Sequence, residues 1–233
     1  MVLAIVRKDL RETWLFAVLA LGIYLAYLVK LTGIGGRALK ALLDTLFFVF
    51  DFVAEFTGDA SDVPFVDGGF LAVYFLIGVV LAIALGFRQS AWEPSQGTAL
   101  YLLHLPLTRR TIFVTKLMTG AGLLLACTLV PILIYATWAW LPRTHPGPFE
   151  WSMTFPAFQL WLIMPLAYLG AFASGIRPAR WIGSRLLPLV AVLVPGVSVE
   201  ILPHWWLIGF PILLFVAAAL VSDILWEAET RDF

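Results

Sequence analysis

The chain has 233 residues, of which 61% are hydrophobic and 13% charged, with a mean hydropathy of +0.94. Soluble domains run at roughly 45–50% apolar and about 25% charged, so a soluble fold lacks the polar covering this chain would need; an all-α polytopic membrane protein is expected. Fifteen Lys and Arg balance fifteen Asp and Glu, which gives no reason to expect a nucleic-acid partner.

In chain order, residues 2–12 place Val2, Ile5, Val6 and Leu10 at helical spacing against Arg7, Lys8, Asp9, Arg11 and Glu12. This predicts a short interfacial helix on the inner leaflet carrying Arg7, Lys8 and Arg11. No small-residue cleavage site follows, so a cleaved signal peptide is not expected. Crossing a core of about 30 Å takes roughly 20 largely apolar residues. Trp14 to Leu31, with Lys30 snorkelling at its end, Gly68 to Phe87, Leu117 to Pro142 and Trp151 to Ile176 meet that need, and Trp205 to Ser222 closes the set. Leu186 to Val199 is shorter. It reaches a spanning length only with Glu200 and His204 at the outer interface, which makes a sixth span.

Between the first two spans, "ALLDTLFFVFDFVAEF" reads as one amphipathic helix on the outer surface, over Ala41 to Phe56. Asp44, Asp51 and Glu55 recur at intervals that share a face. These carboxylates are either external gate candidates or a solvated loop face. With the N-terminus inside, eleven of the fifteen Lys and Arg fall on the cytoplasmic side. That bias predicts a cell-membrane protein with a cytoplasmic N-terminus, and the sixth span, if it crosses, puts the C-terminus on the same side. No linker separates a second domain, so residues 1–233 are expected to form one transmembrane domain.

Reactive constellations are missing from the sequence. His104, His145 and His204 fall in separate segments, with no H-E-x-x-H pair for zinc. Ser174 and Ser198 have no plausible histidine partner within the membrane. Cys127 is the single cysteine and reads as a packed core thiol. No G-x-x-x-x-G-K-[ST] occurs, so the chain is not expected to bind ATP in a P-loop. The few polar residues in the spans, Thr119, Thr128, Tyr135, Thr137, Gln159 and Tyr168, read as hydrogen-bonders in helix packing.

The segment "SAWEPSQGTALYLLHLPLTRRTIF", Ser90 to Phe113, is neither a span nor an ordinary loop, because it carries no Asp, Glu, Lys or Arg from Ser95 to Thr108. A helix starting near Pro94 places Leu100, Leu103 and Leu107 along one edge, and Pro106 stops it. Such a helix either fills a groove on another protein or lies flat on the bilayer.

The order E-x-x-x-G-T-x-x-x-L-L-x-L-P-L-T-R-R-T-I-F-x-x-K-L, Glu93 to Leu117, resembles the cytoplasmic loop after the second span in permease subunits of type-2 ABC exporters. "VRKDLRETW" and "WEAETRDF" resemble that family's amphipathic N-terminus and charged ending. The resemblance implies a coupling helix seated on a separate ABC ATPase subunit that binds ATP and magnesium, with no cofactor on this chain. It also implies pairing with a second permease copy as a homodimer or heterodimer. Glu93, Gly97 and Thr98 would then meet the ATPase, and Leu100 and Leu103 would fill its groove. Pro106 would end the helix, with Arg109 and Arg110 fixing the loop to headgroups or to the ATPase. Many relatives carry re-entrant half-helices between the fifth and sixth spans. Here Pro188 and Pro195-Gly196 are expected to break or kink the fifth span instead, with residues 41–56 as the replacement gate. The implied function is export of a hydrophobic or amphipathic cargo. The alternative is a non-transporting membrane subunit that anchors or regulates a larger complex.

Overall fold

The computed structural model describes residues 2–34, 36–57, 63–66, 68–91, 107–145, 147–177, 182–200 and 204–230. Among them the regular elements are all helical: α1 (Val2–Thr32), α2 (Gly36–Leu46), α3 (Phe48–Thr57), α4 (Gly68–Ser90) and α5 (Arg109–Trp140) come first. A 3-10 turn, Trp151–Thr154, leads into α6 (Phe155–Ile176), and α7 (Ile182–Glu200) and α8 (Gly209–Thr230) complete the order. Five stretches are long and apolar enough to cross a membrane, namely α1, α4, α5, the turn with α6, and α8. The chain is therefore a multi-pass helical membrane protein. The apolar part of α7, Gly183–Leu193, is shorter.

Helix α1 merges two elements that the sequence suggested were separate. Its 31 residues rise about 46 Å at roughly 1.5 Å per residue, so the basic turns and the apolar run share one axis. No Gly or Pro occurs before Gly22, and Thr13 Oγ1 donates to Asp9 O at 2.7 Å, holding the junction in helix. The helix ends where Gly33 takes φ +68°, the left-handed step that glycine makes without steric cost.

The chain divides into two compact units. One comprises Met1–Phe16, Val79–Leu125 and Ile163–Phe233. Its core holds Leu85 of α4, Leu124 of α5, and Met164 and Phe172 of α6, each fully buried. Gly86 lets α4 approach α6 closely: a Cβ there would stand 2.7 Å from Ala171 Cβ and from Tyr168 O. Helix α7 continues through Pro188 and Pro195 rather than breaking at either. Proline disrupts the local backbone ladder. Leu189 N donates to Ser174 Oγ at 3.1 Å, so a polar side chain on α6 serves this backbone group beside Pro188.

The other unit comprises Ala17–Gly78 and Ala126–Leu162. Tyr24 Oη donates to Tyr74 O at 2.8 Å, and Tyr74 Oη donates to Thr128 O at 3.1 Å. These two buried phenols tie α1, α4 and α5 together without leaving a hydroxyl unsatisfied. Phe65, at φ +64° and 1% exposed, is held in that uncommon conformation by the rings of Phe70, Tyr135 and Phe149 at 5.3, 4.8 and 6.3 Å.

Where one outer helix was expected over residues 41–56, the structure has two, α2 and α3, broken at Phe47. On one continuous helix Asp44 and Asp51 would stand seven residues, about 10 Å, apart along the axis. The break brings both carboxylates to a single ammonium, that of Lys30. Lys30 Nζ lies 3.3 Å from Asp44 Oδ1 and also pairs with Asp51 Oδ1. Tyr27 meets Phe47 and Phe50 in T-shaped contacts at 6.5 and 6.2 Å, and these two stack at 5.4 Å.

Candidate functional site at the loop anchors

The charge-poor loop leaves α4 after Ser90 and enters α5 at Arg109. Glu93, Gly97, Thr98, Leu100, Leu103 and Pro106 lie outside the described residues. Both anchors of the loop are described, and they share one buried polar cluster. On the far side of the loop, Thr108 Oγ1 accepts from Thr111 N at 3.3 Å and so caps α5. Leu107 packs against Ile5 of α1 and Ile112 of α5. Arg109 is half-buried and Arg110 exposed in the first turn of α5.

Gln89 and Ser90 end α4, and Lys116 lies two turns into α5; all three are buried. Tyr168 Oη, from α6, donates to Gln89 Oε1 at 2.6 Å and lies 3.4 Å from Lys116 O. Lys116 Nζ donates to Gln89 O at 3.3 Å. Asp9 of α1 is 2% exposed and Lys116 3%, and their opposite charges attract one another. Moving either charge out of water costs several kcal/mol, roughly, unless a counter-charge and hydrogen bonds offset it. Their attraction links α1 to α5.

Glycines make room for this cluster. A Cβ on Gly120 would collide with the Tyr168 hydroxyl and Gln89 Oε1, and one on Gly175 with Ser90 Oγ. Arg185 of α7 donates from Nε to Ser174 O at 3.3 Å and from Nη2 to Gly175 O at 3.2 Å, satisfying carbonyls at the end of α6 with a cation suited to that helix terminus. Five helices thus converge on the residues that flank the loop. Two polar atoms in the cluster, Asp9 Oδ2 and Gln89 Nε2, are buried without a hydrogen-bond partner. Leaving such an atom unpaired costs about 1–3 kcal/mol.

Among the predicted interfacial residues, Arg7 and Arg11 are exposed, and Lys8 Nζ lies 3.7 Å from Glu12 Oε1. Among the described residues no three His, Cys, Asp or Glu are placed to hold a metal ion. Of the gate candidates, Asp44 and Asp51 are half-exposed partners of the buried Lys30; Glu55 lies in α3 with its side chain outside the described residues. Lys30 therefore anchors a helix pair rather than snorkelling to a headgroup. Lys30→Met should loosen α2 and α3 by about 1 kcal/mol, a roughly fivefold faster amide exchange over residues 36–57. Unchanged exchange there would show that the ion pairs contribute nothing to docking.

Of the polar span residues expected to bond in helix packing, Tyr168 and Thr128 do so, to Gln89 and Tyr74, whereas Thr119 and Thr137 bond back to their own helix. Thr119 Oγ1 donates to Thr115 O at 2.8 Å and Thr137 Oγ1 to Ile134 O at 2.8 Å. Sequence reading missed Asp9, Gln89, Lys116 and Ser174 as parts of one cluster. Asp9 counted only as one charge on the polar face of residues 2–12, and Lys116 only among the cations of the cytoplasmic side. The one available signal was the carboxylate standing among three cations on a short amphipathic turn.

Comparison with family models, with curated proteins and with solved structures finds no match to this chain.

Proposed function

We propose that the chain is the membrane-spanning permease subunit of an ATP-driven exporter of the type-2 ABC class. In this reading α7 makes a sixth crossing and both termini are cytoplasmic. A separate ATPase subunit binds ATP and magnesium, and a second permease copy completes the pathway. The observation that carries the proposal is the order Glu93 to Leu117, the loop's resemblance to a coupling helix. The buried cluster supports it, because a loop that transmits force needs both ends fastened to helices. Nucleotide on the ATPase would bias the helices between two arrangements, and this chain would supply no chemistry of its own. The cargo class that suits spans with few charges is hydrophobic or amphipathic.

The test is recovery of an ATPase with the tagged chain from native membranes. A P-loop protein should co-purify with the wild type. Glu93→Ala with Gly97→Val should lower its recovery roughly thirtyfold, the size of a hot-spot loss of about 2 kcal/mol, with membrane insertion retained. Full recovery of the ATPase and unaltered nucleotide-stimulated transport in that variant would sink the coupling assignment. The second reading, a non-transporting anchor, draws on the hydrogen bonds that span threonines make to their own helices, which leave few polar groups to line a pathway. A complex whose ATP turnover ignores every cargo supplied would favour it.

A further inference from the structure

The face of α1 turned away from the polar cluster carries a groove of about 1260 Å³ that runs from Leu3 to Leu15 and reaches Arg88 of α4. We propose that this groove binds one anionic phospholipid. The inference needs α1 to cross the membrane and is independent of the exporter reading.

Two parallel rows of side chains form the wall along α1, at the three- and four-residue spacing that stacks positions on one helix face. Leu3, Arg7, Leu10 and Trp14 make one row, and Ala4, Lys8, Arg11 and Leu15 the other. The first row places Arg7, and the second Lys8 and Arg11, between apolar ends. Arg88 adds a fourth cation from a second helix. Among the described residues, Glu12 is the single carboxylate lining the groove, and it lies against Lys8. Asp9, the other carboxylate of this turn, is buried on the opposite side. Among the described residues, Arg7 and Arg11 make no ion pair and both are exposed. The groove thus presents two exposed guanidiniums, Arg7 and Arg11, that are open to an anion.

Its apolar rim gives the ligand its class. Trp14 and Leu15, 55% and 52% exposed, stand where α1 passes from its charged turns into its apolar run, the level at which tryptophan settles between headgroup and acyl chain. A free phosphate would satisfy the arginines and leave that rim uncovered. The volume also exceeds the roughly 300–1,000 Å³ of a small-molecule cleft. A phospholipid meets both halves, with its phosphodiester among Arg7, Arg11 and Arg88 and its chains along Leu10, Trp14 and Leu15. Basic pockets between spanning helices recognise acidic headgroups in this way.

The experiment is native mass spectrometry of the delipidated full chain in neutral detergent, titrated with phosphatidylglycerol or phosphatidylcholine. One phosphatidylglycerol should bind in clear preference. Arg7→Gln with Arg11→Gln should weaken it about thirtyfold, and Arg88→Gln about fivefold, as expected for loss of two and one near-surface cations. Arg7→Lys with Arg11→Lys should retain most of the binding. Arg37→Gln with Lys40→Gln, an equal charge change on exposed positions of α2, should leave it unchanged. Equal binding of the two lipids, or equal loss in the α2 variant, would overturn the proposal. So would displacement of phosphatidylglycerol by millimolar inorganic phosphate, which would make the groove a phosphate site.

Discussion

Lys116→Met should destabilise the protein by about 3 kcal/mol, and most of that loss should disappear when Asp9→Asn is added. Removing one partner of a buried charge pair leaves the other desolvated and uncompensated, which costs roughly 3–5 kcal/mol, whereas removing both charges is close to neutral. Asp9 and Lys116 are both nearly inaccessible, so solvent cannot rescue the survivor. Methionine keeps the length of the lysine stem, and asparagine keeps the size of the carboxylate. The measurement is a double-mutant cycle on unfolding in detergent, in which a coupling of at least about 1 kcal/mol is expected for groups in one network. Strictly additive losses would show that the two charges act separately. Because Lys116 also donates to Gln89 O at 3.3 Å, a residual loss should persist in the double variant. That residue of the effect measures what the cation contributes to the loop anchor.

Gly86→Ala should cost about 2 kcal/mol or more, although the change adds one methyl group. The atoms in its way include Tyr168 O at 2.7 Å and Phe172 N at 2.9 Å. These are backbone, so α4 and α6 must part for the methyl to fit, and overpacking of this kind costs roughly 1–3 kcal/mol. The separation would also stretch the 2.6 Å bond from Tyr168 Oη to Gln89 Oε1, one turn further along α4. Gly22→Ala and Gly122→Ala are the controls, since a Cβ at either meets nothing within 4 Å. In helix interiors alanine is favoured over glycine by about 1 kcal/mol, so these two should be neutral or stabilising. Thermal unfolding of the three variants decides the matter: a neutral Gly86→Ala would mean that the α4–α6 contact yields freely and cannot hold the loop anchor.

The span segments were legible because each is a local property of the sequence. Gly68 to Phe87 and Trp151 to Ile176 appear as helices with boundaries displaced by a few residues at most. Boundaries set by partners were not. The interfacial turns at residues 2–12 run straight into the span because Asp9 and Thr13 are buried in packing. The outer segment splits at Phe47, where Lys30 gathers both Asp44 and Asp51. The prolines of α7 leave it helical, with the Ser174 hydroxyl accepting the Leu189 amide.

By itself the sequence determined that this is a multi-pass helical membrane protein and where its long apolar helices fall. In lipid the backbone must satisfy its hydrogen bonds within each helix, so about 20 apolar residues suffice to specify one. Only the tertiary structure decided which polar side chains near the helix ends turn inward. Gln89 and Tyr168 lie 79 residues apart in the chain, and Asp9 lies within electrostatic reach of Lys116 on another helix. Whether such a group faces headgroups or protein depends on which neighbours arrive beside it, and no local pattern of hydrophobicity encodes that.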